Sequence, residues 1–363
     1  MPRESYYIWI MRKKHILPLL LLVQIVVVQV LSLFPDWIEQ YYSNRFYSNL
    51  CVVSRKLLGW IPFSVGDVMY LALIVLAVRW FWRKRGTWKQ QWRDHVLTLL
   101  AVFSVFYFCF HVLWAMNYHR VKLSDKMHIG REYTNADLLH FTKRLIVKTN
   151  ALHLQIVASD TAKVVFPYSQ EKVFEMNLDG YDNLAQIHPY FKYEQPSNKK
   201  SLISLPLTYM GFAGYLNPFT NESQVNDRLP MFNFPTTAAH EMAHQIGYAS
   251  ESEANFIGYM ASTKNDDLYI QYSGYTYALK YCLRSLAMRD EKMFEQLKTT
   301  VNPGIIKNYE EAERFWAGYE TFVETGFKIF YDNFLKFNRQ KDGLEGYSKF
   351  VDLLVNYYKL EKI

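Results

Sequence analysis

The sequence has few of the features that mark several common classes of protein. Its 363 residues include only three cysteines, Cys51, Cys109 and Cys282, and none of them forms a CxxC pair. No disulfide framework is therefore implied. The chain also has no internal repeat, no low-complexity linker, no glycine-rich phosphate loop and no GxSxG motif. Serine-histidine-aspartate catalysis consequently has no local support.

The excess of positive charge lies in the first third of the chain. Residues 1–117 carry a net charge of +8, whereas residues 118–363 carry −1. The sequence pI of about 9.0 therefore reflects the N-terminal segment. Because nucleic-acid binding would need a basic patch on the later, larger part of the chain, no nucleic-acid partner is predicted.

Long apolar runs are concentrated in the same N-terminal third. They cover residues 16–34, residues 65–82 with Arg79 as an interruption, and residues 96–116. A bilayer core needs about 20 such residues in a helix, so we expect three transmembrane helices in a lipid bilayer. The alternative is a set of buried core helices. Residues 35–37 do not form a small-x-small cleavage site, so the first run is predicted to remain as a membrane helix.

Basic residues set the expected orientation in the membrane. Four precede the first run and five lie between the second and third: Arg3, Arg12, Lys13, Lys14, Arg83, Lys84, Arg85, Lys89 and Arg93. Positively charged segments stay in the cytoplasm. The N-terminus is therefore expected inside, with residues 35–66 and the domain of residues 118–363 outside. This predicts an inner-membrane protein whose residues 1–117 form the membrane region.

The most informative motif is the run from His240 to His244, which reads HExxH. On a helix, residues i and i+4 project from the same face, so His240 and His244 can hold one zinc ion. Glu241 lies beside them, where it can act as general base on a zinc-activated water. Pro235 favours a helix start and Gly247 a stop. The alternative is a surface helix with two solvated histidines.

A catalytic zinc ion usually has a third protein ligand. Metzincins would place a histidine at position 250, but this chain has Ser250 there. Gluzincins use a glutamate from the following helix, and two are available. Glu251 shares a helix face with small residues that allow close helix approach, so it is preferred. Glu253 is the alternative, although Ser250 and Glu253 also form an S-x-x-E capping box.

The rest of residues 118–363 is expected to be mostly helical with a small sheet, a membrane-anchored α+β, zincin-like class. Predicted helices cover residues 135–150, 169–176, 266–288, 291–301, 307–339 and 347–360. Residues 154–166 are expected to be a short strand region, and residues 202–220 a short strand or a hairpin with a glycine-rich bend. Residues 220–226 are interpreted either as an edge strand that aligns an extended substrate or as a polar loop.

Two tyrosines are candidates for stabilising the oxyanion of a tetrahedral intermediate. Zinc peptidases need a hydrogen-bond donor for this purpose. Tyr272 and Tyr275 lie on the predicted helix at 266–288, downstream of the motif. The simpler interpretation is that both are packing aromatics.

The whole pattern resembles a bacterial membrane family called domain of unknown function 3810. The resemblance is carried by the three apolar runs and by the segments 114–120, 218–220 and 240–255, which read WAMNYHR, PFT and HEMAHQIGYASESEAN. Residues 251–255 are similar to the downstream glutamate motif of gluzincins, with Asn255 where Asp is usual. The resemblance implies a gluzincin-like metallopeptidase with a periplasmic catalytic domain, and it names no substrate.

The sequence therefore predicts a membrane-anchored zinc metalloendopeptidase that acts on a peptide or protein outside the cytoplasm. The alternative is a non-catalytic membrane sensor or scaffold that retains a metal site. An intramembrane protease is disfavoured because residues 233–237 and Gln245 do not form a membrane span around the motif. The sequence gives no indication of the oligomeric state.

Overall fold

The computed structural model describes residues 2–338, 347–359 and 361. Within these ranges the side chains of residues 2–14, 337, 347 and 348 are not described. Several parts of the predictions above thus lie outside the described residues. They are the side chains of Arg3, Arg12, Lys13 and Lys14, the last residues of the predicted helices at 307–339 and 347–360, and residues 339–346 of the predicted outer domain.

Among the described residues, two helices are long and apolar enough to cross a membrane, α4 (Val65–Lys84) and α5 (Trp92–Leu113). Residues 15–31 of α1 (Pro2–Leu31) and the helical residues 35–58 that follow are bent by 97° relative to each other. If this bent pair is counted as one span, its length and composition make it a third candidate. Most side chains in the spans of α4 and α5 are not buried. Exposing so much apolar surface to water is unfavourable, so the two helices indicate membrane association.

The segment between α1 and α4 is a continuous helical stretch. It comprises α2 (Pro35–Trp37), a π-helix (Ile38–Tyr47) and α3 (Ser48–Leu58). Its inner face is buried in a small cluster together with the end of α5, whereas the other face exposes aromatic and aliphatic residues. This amphipathic pattern places the stretch between an apolar environment and the rest of the molecule.

The described residues that follow are mostly helical and include three short strands. This part begins with a 3₁₀ turn (Ala115–His119), α6 (Leu123–Lys126), α7 (Asn135–Ile156), α8 (Gln170–Ile187), a 3₁₀ turn (Pro189–Phe191), β1 (Asn198–Lys200), α9 (Ser204–Tyr209), β2 (Gly214–Leu216) and β3 (Ser223–Val225). It continues with α10 (Phe234–Gln245), α11 (Glu251–Thr263), α12 (Leu268–Arg289), α13 (Glu291–Lys298), α14 (Pro303–Ala317), α15 (Phe322–Phe337) and α16 (Tyr347–Tyr357).

Helix α11 forms the centre of the main core. It is buried on all sides from Ser252 to Ser262, with α8, α10, α12 and α16 packed around it. Its composition explains this position, because no charged residue follows Glu253 until Lys264. A helix that is apolar or small all round has no face for water and must be surrounded by protein.

Two predictions for this region are wrong. The strand expected at residues 154–166 does not form, since α7 continues to Ile156 and a loop follows. The amide of Asn308 donates to the carbonyl oxygen of Val164 and accepts from its backbone nitrogen, both at 3.1 Å. The side chain thus satisfies the groups that a strand partner would have satisfied. The helix predicted at 307–339 is also broken, between Ala317 and Phe322.

The three strands form one sheet in the order β1-β3-β2, with β3 parallel to β1 and antiparallel to β2. The predicted strand within residues 220–226 does form, but the prediction that it is an edge strand is wrong. Strand β3 is central and fully buried, and β2 and β1 are the edges. Local sequence cannot show this difference, because it depends on which segments pair on either side.

Candidate metal centre

Helix α10 brings the HExxH residues together. It begins at Phe234, has Pro235 in its first turn and ends at Gln245. His240 and His244 project from one face with their ring centroids 4.7 Å apart. The chain then reverses at Gly247, whose φ of +92° lies in the left-handed region that side chains disfavour. This tight turn folds α11 back against α10.

The approach of α11 to α10 depends on a glycine. A Cβ atom at Gly258 would lie only 2.8 Å from the backbone nitrogen of His240. The absence of a side chain lets the two helices nearly touch, as the small residues on this face predict. Glu251, the first residue of α11, is thereby placed opposite the two imidazoles.

Three ligand atoms converge at this point. Nε2 of His240 lies 3.3 Å from Oε2 of Glu251, and Nε2 of His244 lies 3.7 Å from Oε1. The ligand atoms of all three residues fall within 4.8 Å of one another. Two atoms bound tetrahedrally at about 2.1 Å from a zinc ion lie roughly 3.4 Å apart. The spacing and the two-nitrogen, one-oxygen donor set therefore fit zinc.

The second histidine is held in a defined orientation. Its Nδ1 donates to the carbonyl oxygen of Tyr248 at 2.7 Å, so Nε2 of His244 is the nitrogen that faces Glu251. The ring of Trp114 meets His244 edge to face at 5.9 Å. By contrast, Nδ1 of His240 is buried and has no hydrogen-bond partner among the described residues.

Hydrogen bonds and charges within the cluster shift the pKa values of His244 and Glu251. Burial lowers the pKa of His244, but hydrogen bonding and charge from Glu251 outweigh it and raise this pKa to about 9. Burial likewise raises the pKa of Glu251, but its interactions with His240 and His244 hold that pKa well below its usual range. An ionised carboxylate that faces two imidazole rings supplies the negative charge that a bound cation needs.

Glu241, which follows His240 in the chain, has its carboxylate against β2. A Cβ atom at Gly214 would be 2.8 Å from Oε1 of Glu241, so the strand backbone and the carboxylate are in close contact. Oε2 of Glu241 is buried without a hydrogen-bond partner among the described residues. Burial raises the pKa of Glu241. A carboxylate with a raised pKa and an unpaired oxygen is prepared to accept a proton.

Glu253 occupies a different environment. Its Oε1 accepts a hydrogen bond of 2.7 Å from the backbone nitrogen of Leu123, at the start of α6. The predicted capping box at Ser250 is absent, since Ser250 makes no capping hydrogen bond and Glu253 is engaged elsewhere. The structure therefore brings Glu251, and not Glu253, to the histidines. The reason is helical rotation, because residues two apart differ in direction by about 200°.

The tyrosine at the cluster was not a candidate from the sequence. Tyr331 of α15 donates a hydrogen bond of 2.6 Å to Oε1 of Glu251. The structure places Tyr272 and Tyr275 in the core instead, where Tyr272 donates to Asn308 at 2.9 Å and Tyr275 packs against Tyr259. Tyr331 is about 80 residues from Glu251 in sequence and belongs to no motif, so no local signal marks it.

Residues 42–355 match the family model described as Protein of unknown function (DUF3810). The chain belongs to this family. Comparisons with curated proteins and with solved structures gave no match. The DUF3810 region includes most of the π-helix, the two candidate spans and every residue of the cluster, so the candidate spans and the cluster belong to one family unit.

Proposed function

We propose that this DUF3810 protein is a membrane-anchored zinc metallopeptidase that hydrolyses peptide bonds outside the cytoplasm. The observation that carries the proposal is the convergence of His240, His244 and Glu251 beside the buried carboxylate of Glu241. A zinc ion held by these three residues would supply Lewis acidity and lower the pKa of a water molecule to about 7.

The chain supplies the groups that hydrolysis needs in addition to the metal. Glu241 accepts a proton from the attacking water and passes it to the amine nitrogen of the leaving peptide. The hydroxyl of Tyr331 is a hydrogen-bond donor at the cluster, so we assign the oxyanion-stabilising role to Tyr331 in place of Tyr272 or Tyr275.

The position of β2 supports a peptide as substrate. Among the strands that the structure describes, β2 pairs with β3 only, so its other side has no strand partner. Gly214 at its start touches Glu241. An extended peptide could add to this edge by backbone hydrogen bonds and would then run past the catalytic carboxylate. β2 thus takes the substrate-aligning role proposed for residues 220–226.

The decisive variant is Glu241→Gln in the full chain. It keeps the shape of the side chain but removes the base, so we expect zinc content to be unchanged and hydrolysis to fall by about 10²-fold or more. Metal analysis and cleavage of fluorescein-labelled casein in detergent measure the two effects. Cleavage by the variant at the wild-type rate contradicts the mechanism. If the wild type and the Glu241→Gln variant both contain zinc and neither cleaves casein, the result supports the alternative of a non-catalytic sensor or scaffold.

A further inference from the structure

Helix α15 exposes an apolar face that no described element covers. Phe322, Ile329 and Phe330 are 88%, 61% and 65% exposed. They lie on one side of the helix, because their positions fall within about 100° of one another at 3.6 residues per turn. The opposite side holds Leu335, which is fully buried, and Tyr331, which contacts Glu251. A large apolar face of this kind normally marks a contact with another apolar phase.

The position of α15 identifies that phase. The ring of Phe334 lies 6.0 Å from the ring of Phe110, in the last turn of the span α5. The hydroxyl of Tyr42, in the π-helix, donates to the carbonyl oxygens of His111 and Val112 in the same turn. Two amphipathic segments therefore meet α5 where the hydrophobic span ends, which is the level of the lipid headgroups.

We propose that the exposed apolar face of α15 lies in the headgroup–acyl boundary of the bilayer, on the side where α5 ends. The occupant of this face is the lipid bilayer itself, since the face continues the apolar surface of a membrane-spanning helix. The two basic side chains on the flank, Lys328 and Lys336, each pair with an acidic residue four positions earlier. Attachment thus rests on apolar burial and does not require anionic lipid.

This placement puts the metal centre at the lipid surface. Tyr331 on the inner side of α15 contacts Glu251, and Trp114, directly after α5, contacts His244. The docking of α15 does not depend on metal or catalysis. If the proposed function also holds, the substrates are polypeptide segments close to the membrane surface, because the wall of the site is itself a lipid-facing helix.

The test places a probe on α15 of the full chain in phosphatidylcholine nanodiscs. Ile329→Cys and Phe330→Cys are labelled with an environment-sensitive fluorophore in a Cys109→Ser background, since Cys51 and Cys282 are buried. Val147→Cys on α7 is the control, because Val147 is apolar and 70% exposed but lies on a helix packed against α12, α14 and α16.

We expect lipids spin-labelled near the headgroup to quench positions 329 and 330 several-fold more than position 147. Quenching at positions 329 and 330 no stronger than at 147 overturns the proposal, whether water or a second protein copy covers the face. In a second variant, Phe330→Asp, quenching at 329 should fall, whereas Val147→Asp on α7 should leave it unchanged. Zinc content is measured in parallel, so a failure of α15 docking is separable from a failure of the metal site.

Discussion

At the scale of single residues, the centre depends on which side of a helix a carboxylate occupies. Glu251 and Glu253 are two positions apart and face nearly opposite ways. One carboxylate meets the histidines and the other meets the backbone nitrogen of Leu123. The choice between them therefore follows from the direction in which α11 packs against α10.

The first prediction separates the two glutamates by metal content. Glu251→Ala should lower zinc affinity by more than about 100-fold, because loss of an outer-shell partner alone typically costs 10–100-fold. Glu253→Ala should keep the metal but lower the free energy of unfolding by about 1–3 kcal/mol, since Leu123 loses its acceptor. Competition with a chromogenic chelator and thermal unfolding measure these effects. Metal loss only in the Glu253 variant would refute the assignment.

The second prediction concerns the tyrosine hydroxyl at the cluster. Tyr331→Phe should retain zinc and lower the hydrolysis rate constant by about 10²-fold, the usual effect of removing an oxyanion donor. Tyr272→Phe is the matched control. It should leave hydrolysis unchanged and cost about 1 kcal/mol of stability, because Asn308 loses a hydrogen bond. Equal hydrolysis by wild type and Tyr331→Phe would remove Tyr331 from the mechanism.

At the scale of elements, the helix pair α10–α11 and the sheet differ in how much local sequence reveals. The helix pair is readable because HExxH, the turn at Gly247 and the small residues of α11 all act locally. The strands are three residues long, too short for an alternating pattern. β3 is also polar yet buried, since Gln224 donates to Ser64 at the start of α4.

The third prediction tests the close contact between these two helices. Gly258→Ala should lower the free energy of unfolding by about 1–3 kcal/mol through overpacking. It should also weaken zinc binding, because the added methyl group displaces the backbone of His240. Gly326→Ala is the control on α15, where a Cβ atom meets nothing within 4 Å. This change should stabilise the helix by up to about 1 kcal/mol. If Gly258→Ala and Gly326→Ala had the same melting temperature and the same zinc affinity, the packing argument would be contradicted.

At the scale of the whole molecule, the membrane region and the later part of the chain share buried polar contacts. Glu222 accepts hydrogen bonds from the backbone nitrogens of Val65 and Gly66, at the N-terminus of α4. Arg55 of α3 donates to Asn221 and to the carbonyl oxygen of Gln245, directly behind the candidate metal centre. The helices before residue 117 therefore help to position the site as well as associating with the membrane.

The fourth prediction follows from these contacts. A fragment of residues 118–363 should fail to show cooperative thermal unfolding and should lose its zinc. Without the first 117 residues, Glu222 loses the amide donors of α4, and Asn221 and Gln245 lose the guanidinium group of Arg55. Several polar groups behind the site then lack their hydrogen-bond donors, which is destabilising. Calorimetry and metal analysis of the fragment beside the full chain provide the measurement. A cooperative transition with full zinc content would show that the later residues fold independently.

The sequence by itself determined the features that local physics controls. Apolar runs, charge asymmetry and the HExxH spacing depend on neighbouring residues, and they predicted the membrane-compatible helices and the pairing of His240 with His244. Tertiary structure alone decided that β3 is the central strand and that Tyr331 reaches Glu251. Each of these depends on contacts between segments far apart in the chain, where packing and buried hydrogen bonds select among arrangements that local sequence leaves equal.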